Sequence, residues 1–175
     1  WARSCVLETG KYGDFISNLI KKKLNLKNYH FLSGPSFADE VLNGKPTALS
    51  LSSNKLNKNI GNIFEDTNIR IYYSEGYRTL EFLGILKNIY AIISGITEAV
   101  GAGQNTKSLI FTRAIAEMNR FCRELGANPM TMLGLGGIGD LFVTCTSPLS
   151  RNYRVGMAIG NGASLEDAIS SLGQI

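Results

Sequence analysis

The residues most able to do chemistry in this chain are one lysine, one aspartate and two serine-headed turns. Lys87 lies in the run Gly84-Ile-Leu-Lys87-Asn88-Ile-Tyr-Ala91-Ile-Ile-Ser-Gly95, which is apolar nearly all round and therefore predicts a buried helix. One stripe differs: Gly84, Lys87, Asn88, Ala91 and Gly95 recur at three- and four-residue intervals and share a face. Small residues on that face let a second backbone or a ligand come close. A lysine there is either a snorkelling side chain at the core edge or a functional group. The neighbouring Asn88 favours function, and burial lowers the pKa of a lysine, making it a usable proton donor or acceptor near neutral pH.

Two turns add anion-receptive ends. Pro148-Leu-Ser150-Arg151-Asn152-Tyr-Arg154 introduces a helix with Ser150 as its N-cap, so unpaired N–H groups and Arg151 could receive a phosphate; an ordinary capped surface helix reads the same way. Ser33-Gly34-Pro-Ser36-Phe-Ala38-Asp-Glu is a strand-to-helix turn with a second serine cap. Residues 134–139, Gly-Leu-Gly-Gly-Ile-Gly, satisfy the dinucleotide fingerprint, but the Asn128-Pro-Met-Thr-Met-Leu segment before them is helical or turn-like. They read better as a flexible, close-packed turn that delivers Asp140 to a site. A proton-transfer lysine, a carboxylate and two anion-receptive helix ends suit a small phosphorylated carbonyl or alcohol.

The elements that must position these groups fall into two parts. Short strand-like and helix-like pieces alternate at Phe15–Leu24 (helix), Tyr29–Gly34 (strand), Ser36–Asn43 (helix), Thr47–Ser52 (strand), Leu56–Phe64 (helix) and Ile69–Tyr73 (strand). Long helical segments follow at Tyr77–Val100, Thr106–Leu125, Ser150–Ile159 and Ser164–Ser171. The fold class is α/β: residues 1–75 read as part of a wound β/α domain and residues 76–175 as a mostly α-helical domain.

Composition narrows the partners. Of 175 residues, 44% are hydrophobic and 18% charged, enough for a real core and a soluble globular protein. The net charge of +4 owes most to Lys21, Lys22, Lys23 and Lys27, which read as a solvated helix end without interleaved aromatics, so nucleic acid is not favoured. Cys5, Cys122 and Cys145 are too few and too scattered for a disulfide framework or zinc knuckle, and a reducing, cytoplasmic setting fits. His30 is the only histidine, sits on a strand and cannot alone build a metal site. No apolar run is expected to span a bilayer, because Glu81, Lys87 and Glu98 interrupt the longest. Trp1 in place of Met, and an end that lacks terminating chemistry, mark the chain as a fragment.

Three ordered blocks carry a family resemblance across residues 30–156: Gly34-Pro-Ser36-Phe-Ala-Asp-Glu, Leu86-Lys-Asn-Ile-Tyr-Ala-Ile, and Gly137-Ile-Gly-Asp140-Leu-Phe-Val-Thr-Cys-Thr followed by Ser150-Arg-Asn. They resemble the signature segments of NAD(P)-dependent glycerol-3-phosphate dehydrogenases. The resemblance implies the end of a Rossmann-like domain followed by a substrate domain, NAD or NADP as cofactor, and dihydroxyacetone phosphate and sn-glycerol 3-phosphate as substrates. It implies Lys87 as proton donor and acceptor, and Gly34, Ser36, Asn88, Asp140, Thr144, Ser150, Arg151 and Asn152 as substrate contacts. Ala38 and Arg151 match cofactor contacts, and a homodimer is a candidate assembly. The chain departs from the family where Ser4 and Cys5 replace an expected Lys-Gly, where nothing like a glycine-rich loop precedes Trp1, and after Gly173-Gln-Ile175. Those departures motivate a competing expectation, an inactive truncated paralogue that binds or dimerises; the chain by itself is expected to be inactive. A dehydrogenase for a non-phosphorylated hydroxyacid is a third reading, opposed by the Ser150-Arg-Asn block.

Overall fold

A computed structural model describes residues 15–25, 28–53, 55–124 and 126–172. The readings that fall on Ser4, Cys5, Lys27 and Gly173-Gln-Ile175 lie outside the described residues. Helix α1 spans Ile16–Leu24 and ends in Lys21, Lys22 and Lys23, where cations meet the negative end of the helix dipole. Strand β1 (His30–Ser33), helix α2 (Ala38–Leu42), strand β2 (Thr47–Ser53), a 3-10 helix (Lys58–Phe64) and strand β3 (Ile69–Tyr73) follow. The predicted α-helix over Leu56–Phe64 is thus a tighter 3-10 helix. Glycine and asparagine at 59, 61 and 62 weaken α-helix propensity there.

The sheet runs β1-β2-β3, with β2 antiparallel to β1 and parallel to β3. Leu32 faces Leu51 across the first pair, and Leu51 faces Tyr73 across the second. As the central strand, β2 is buried at Thr47 and from Leu49 to Ser52, so its sequence shows no clean polar alternation. His30 accepts a hydrogen bond from the Asn57 backbone N–H at 3.2 Å, a structural role that ties β1 to the 3-10 helix.

From residue 77 the chain is helical: α3 (Tyr77–Ala99), α4 (Gly103–Glu124), α5 (Pro129–Met132), one π-helical turn (Leu135–Gly139), α6 (Asp140–Thr146), α7 (Arg151–Gly160) and α8 (Leu165–Ser170). Helix α3 is the axle. Its Leu83, Tyr90 and Ala91 join Ala114, Met118 and Cys122 of α4, Met132 of α5, and Leu141 and Cys145 of α6 in one core.

Two expectations about α3 need correction. It is not buried all round, since Ile89 and Ile93 are 51% and 38% exposed; the apolar stripe that carries them faces no described element. It is also long and apolar enough, by length and composition, to cross a bilayer, contrary to the reading that its charges forbid this. Its charged residues are partnered rather than placed to interrupt: Lys87 pairs with Asp140, Glu81 with Ser17, and Glu98 with Lys107.

Candidate active site

The small-residue stripe on α3 is where α7 crosses. A Cβ on Gly95 would lie 2.1 Å from the Tyr153 carbonyl oxygen, and one on Gly156 would lie 2.0 Å from that of Ile92. Glycine at both positions lets the two backbones touch. Further along, a Cβ on Gly160 would meet Ile96 and Ala99. The helices therefore run in the same direction with Ile92 level with Gly156 and Ile96 level with Gly160. The start of α7 therefore lies toward the end of the crossing that carries Asn88 and Lys87.

Lys87 is held from a second side. Its Nζ donates to Asp140 Oδ2 at 2.5 Å, with the lysine side chain 21% exposed and the aspartate 7%. The glycine-rich turn accounts for this placement. Gly137 packs so tightly that an added Cβ would stand 1.9 Å from the Met132 carbonyl oxygen, and Gly136 is closed off by Leu80 and Ser33. The turn is filled by protein and opens into α6 with Asp140 as its first residue. The segment is a close-packed π-helical turn that leads directly into Asp140. Its central glycines, Gly136 and Gly137, face protein rather than open space.

Burial pushes the Asp140 carboxyl above its ordinary value, while the Lys87 charge, its hydrogen bond and the Thr144 hydroxyl pull the other way. Thr144 Oγ1 donates to the Asp140 carbonyl oxygen at 2.6 Å and lies 3.4 Å from Oδ1. Cys145 is free and buried beside this group, its thiol pushed up to about 11 by burial, so it is inert as a nucleophile. Asn88 Nδ2 donates to the Gly84 carbonyl oxygen at 3.1 Å.

The sheet reaches the same place through its first turn. Gly34 is buried with φ 147° and abuts Ala48 and Leu49, Ser36 Oγ donates to the Gly34 carbonyl at 3.1 Å, and Pro35 lies against Gly139, the residue before Asp140. Ser150 caps α7 by accepting the Tyr153 N–H at 3.3 Å. The structure thus gathers Lys87, Asn88, Asp140, Thr144 and the start of α7 around one end of the α3–α7 crossing, with the Gly34–Ser36 turn alongside. Ala38 stands apart from that hydrogen-bonded group, exposed at the first position of α2. Sequence reasoning missed Ser33, whose side chain packs on Gly136 and seats the two turns together. Among the described residues no cluster of three or more His, Cys, Asp or Glu is placed to hold a metal ion.

A partly buried ammonium pinned to a buried carboxylate can release or take a proton at a fixed point. Two helix-start N–H groups beside an arginine can hold an anion next to it.

Comparison with known proteins places this geometry. Family models for the C-terminal and N-terminal parts of NAD-dependent glycerol-3-phosphate dehydrogenase match residues 77–175 and 7–59 respectively. A glycerol-3-phosphate dehydrogenase (NAD(P)+) of Acinetobacter baylyi is 46% identical over 162 residues, which is 91% of this chain and 45% of that protein. One from Saccharophagus degradans is 44% identical over the same shares. The crystal structure of glycerol-3-phosphate dehydrogenase from Coxiella burnetii superposes with a TM-score of 0.86 at 35% identity, covering 91% of this chain and 50% of that one. The yeast Saccharomyces cerevisiae glycerol-3-phosphate dehydrogenase shares the fold, with a TM-score of 0.80 at 22% identity over 94% of this chain and 51% of its own. The chain spans about half the length of the relatives it matches.

Proposed function

The chain belongs to the NAD-dependent glycerol-3-phosphate dehydrogenase family, and from that premise we propose that it carries the substrate-facing part of an oxidoreductase site. The reaction is the interconversion of dihydroxyacetone phosphate and sn-glycerol 3-phosphate with NADH or NADPH. The observation that carries this reading is the Lys87–Asp140 pair, toward the end of the α3–α7 crossing where α7 begins.

In reduction, the C2 carbonyl oxygen must gain a proton as its carbon gains hydride. The ammonium of Lys87 supplies that proton, and in the reverse direction the neutral amine takes it back. Asp140 fixes the direction of Nζ and balances its charge in a buried setting. Arg151 and the N–H groups at the start of α7 receive the phosphate. Gly34, Ser36, Asn88, Thr144, Ser150 and Asn152 line the remaining substrate contacts. A reduced nicotinamide, when bound, supplies hydride. Among the described residues it would be met by Ala38 and Arg151, and none forms a glycine-rich cradle for its pyrophosphate, so these residues fit only the rim of such a site.

The division into residues 1–75 and 76–175, a cytoplasmic location and a homodimer belong to the same reading. The first is supported by the change from strand to helix after Tyr73, and the second by free, buried Cys122 and Cys145. The decisive assay follows the absorbance of NADH and of NADPH when the full-length protein is given dihydroxyacetone phosphate. Oxidation of at least one cofactor is expected, and oxidation of neither would overturn the proposal. In that assay Arg151→Ala is expected to raise KM for dihydroxyacetone phosphate by about 10–100-fold, the worth of a charged hydrogen bond to phosphate. An unaltered KM would take the phosphate away from Arg151.

A further inference from the structure

Helix α1 begins at Ile16 with an aromatic N-cap. That N-cap is Phe15, whose side chain accepts no hydrogen bond, and the first turn holds no acidic residue, so among the described residues its own turn supplies no side-chain cap. A partner comes from α3. Glu81 Oε1 accepts from the Ser17 backbone N–H at 2.8 Å, and Oε2 accepts from the Ser17 hydroxyl at 2.7 Å. Both residues are buried, Ser17 at 1% and Glu81 at 8% exposure. Burying a carboxylate is costly unless hydrogen bonds and opposite charge meet it; here two short bonds and the positive end of α1 do so. An apolar contact would join the same elements without that cost, but it would not fix their direction.

The location gives this fastening its consequence. Glu81 lies about one and two-thirds turns before Lys87 on α3, about 9 Å along the axis. The same end of α3 is tied to the sheet unit by Tyr77, which accepts a hydrogen bond from the Tyr29 hydroxyl at 3.0 Å and stacks on Phe31 with ring centroids 5.6 Å apart. Arg151, in contrast, rides on α3 itself through the glycine crossing of α7. Lys87 and α7 thus belong to one tightly packed helix pair, and Glu81 fastens α1 to that pair.

We propose that Glu81 is a positioning residue: by capping α1 through Ser17 it fixes the axial placement of Lys87 relative to the sheet-bearing unit. The kinetic part of this proposal rests on the dehydrogenase reading. In the full-length protein, Glu81→Ala is expected to lower kcat about ten- to a hundred-fold, the scale of a displacement near 1 Å. KM for dihydroxyacetone phosphate stays within about two-fold, because α7, which carries Arg151, stays packed on α3. Glu81→Gln keeps an acceptor for the Ser17 amide and is expected to recover most of the loss. Ser17→Ala removes only the hydroxyl bond and falls between them.

A readout independent of turnover is amide hydrogen exchange. Exchange at Ser17 and its neighbours in α1 is expected to quicken more than about ten-fold in Glu81→Ala, with the α3 amides around Lys87 unchanged. Unchanged exchange at Ser17 would overturn the fastening. Quickened exchange with kcat unaltered, or equal losses in the Ala and Gln variants, would overturn the positioning role. Should Glu81→Ala fail to fold, Glu81→Gln and Ser17→Ala carry the same kcat-against-KM comparison. If the wild-type protein oxidises neither cofactor with dihydroxyacetone phosphate, the dehydrogenase reading falls, and the exchange result still decides the fastening.

Discussion

Lys87→Met in the full-length protein is expected to lower kcat/KM for dihydroxyacetone phosphate by about 10²–10⁴-fold, or about 3–5 kcal/mol of transition-state stabilisation. Methionine keeps most of the aliphatic stem, so the packing of α3 survives while the transferable proton is lost. Turnover at the wild-type level would exclude Lys87 from proton transfer. The same variant carries a stability signature that separates it from simple misfolding. Asp140 is already pushed above its ordinary 3.8 by burial, and removing Lys87 takes away the main influences that lower it. A carboxyl whose folded pKa lies above its unfolded value contributes stability that is fully present below the unfolded value and lost as pH rises through the folded one. The Tm gap between Lys87→Met and wild type should therefore be smallest near pH 3.8 and widen above it. A gap that narrows with rising pH would contradict the buried pairing.

The second large effect concerns the helix crossing. Gly156→Val places a branched side chain where even a Cβ would sit 2.0 Å from the Ile92 carbonyl oxygen, a backbone atom that cannot swing aside. The helices must separate, which costs about 1–3 kcal/mol or more as overpacking and lowers Tm by several degrees. Because separation also draws Arg151 away from Lys87, kcat/KM is expected to fall by roughly 10²-fold even in the fraction that folds. Thermal melts paired with kinetics on the folded protein check both halves. A variant with wild-type Tm and turnover would mean that α7 does not cross α3 at this point.

Much of this site was legible in the sequence because it is written in helical spacing. Gly84, Lys87, Asn88, Ala91 and Gly95 share a face by periodicity alone, and the small residues announce a close neighbour, which is α7. Ser150 was readable as a cap; Ser36, read the same way, is not one, since Phe37 is the N-cap of α2 and Ser36 Oγ donates to the Gly34 carbonyl instead. The glycine fingerprint at 134–139 was rejected on context, and its packing against Met132 and Leu80 accounts for its composition. Non-local features were not legible. The π-helical turn arises from packing between Ser33–Pro35 and Gly136–Gly139, which no spacing rule encodes. Glu81 read as an interruption in an apolar run, whereas its role is set by Ser17, 64 residues earlier. The signal that could have found it is negative: Phe15 opens a helix it cannot cap. Exposure of Ile89 and Ile93 was also hidden, since periodicity shows which residues are apolar and not which apolar faces find partners.

The glycine contacts between α3 and α7 have a metrical consequence. Ridge meets groove at Ile92–Gly156 and again at Ile96–Gly160, so the helices cannot glide past each other smoothly; the next seating is a full turn away, about 5.4 Å. The span between the amine of Lys87 and the start of α7 is thus a fixed gauge, like the jaws of a calliper locked at one setting. On the proposed function, substrates are told apart by the distance between their anionic end and their reacting oxygen, and a homologue one carbon longer is expected to turn over poorly in the full-length protein.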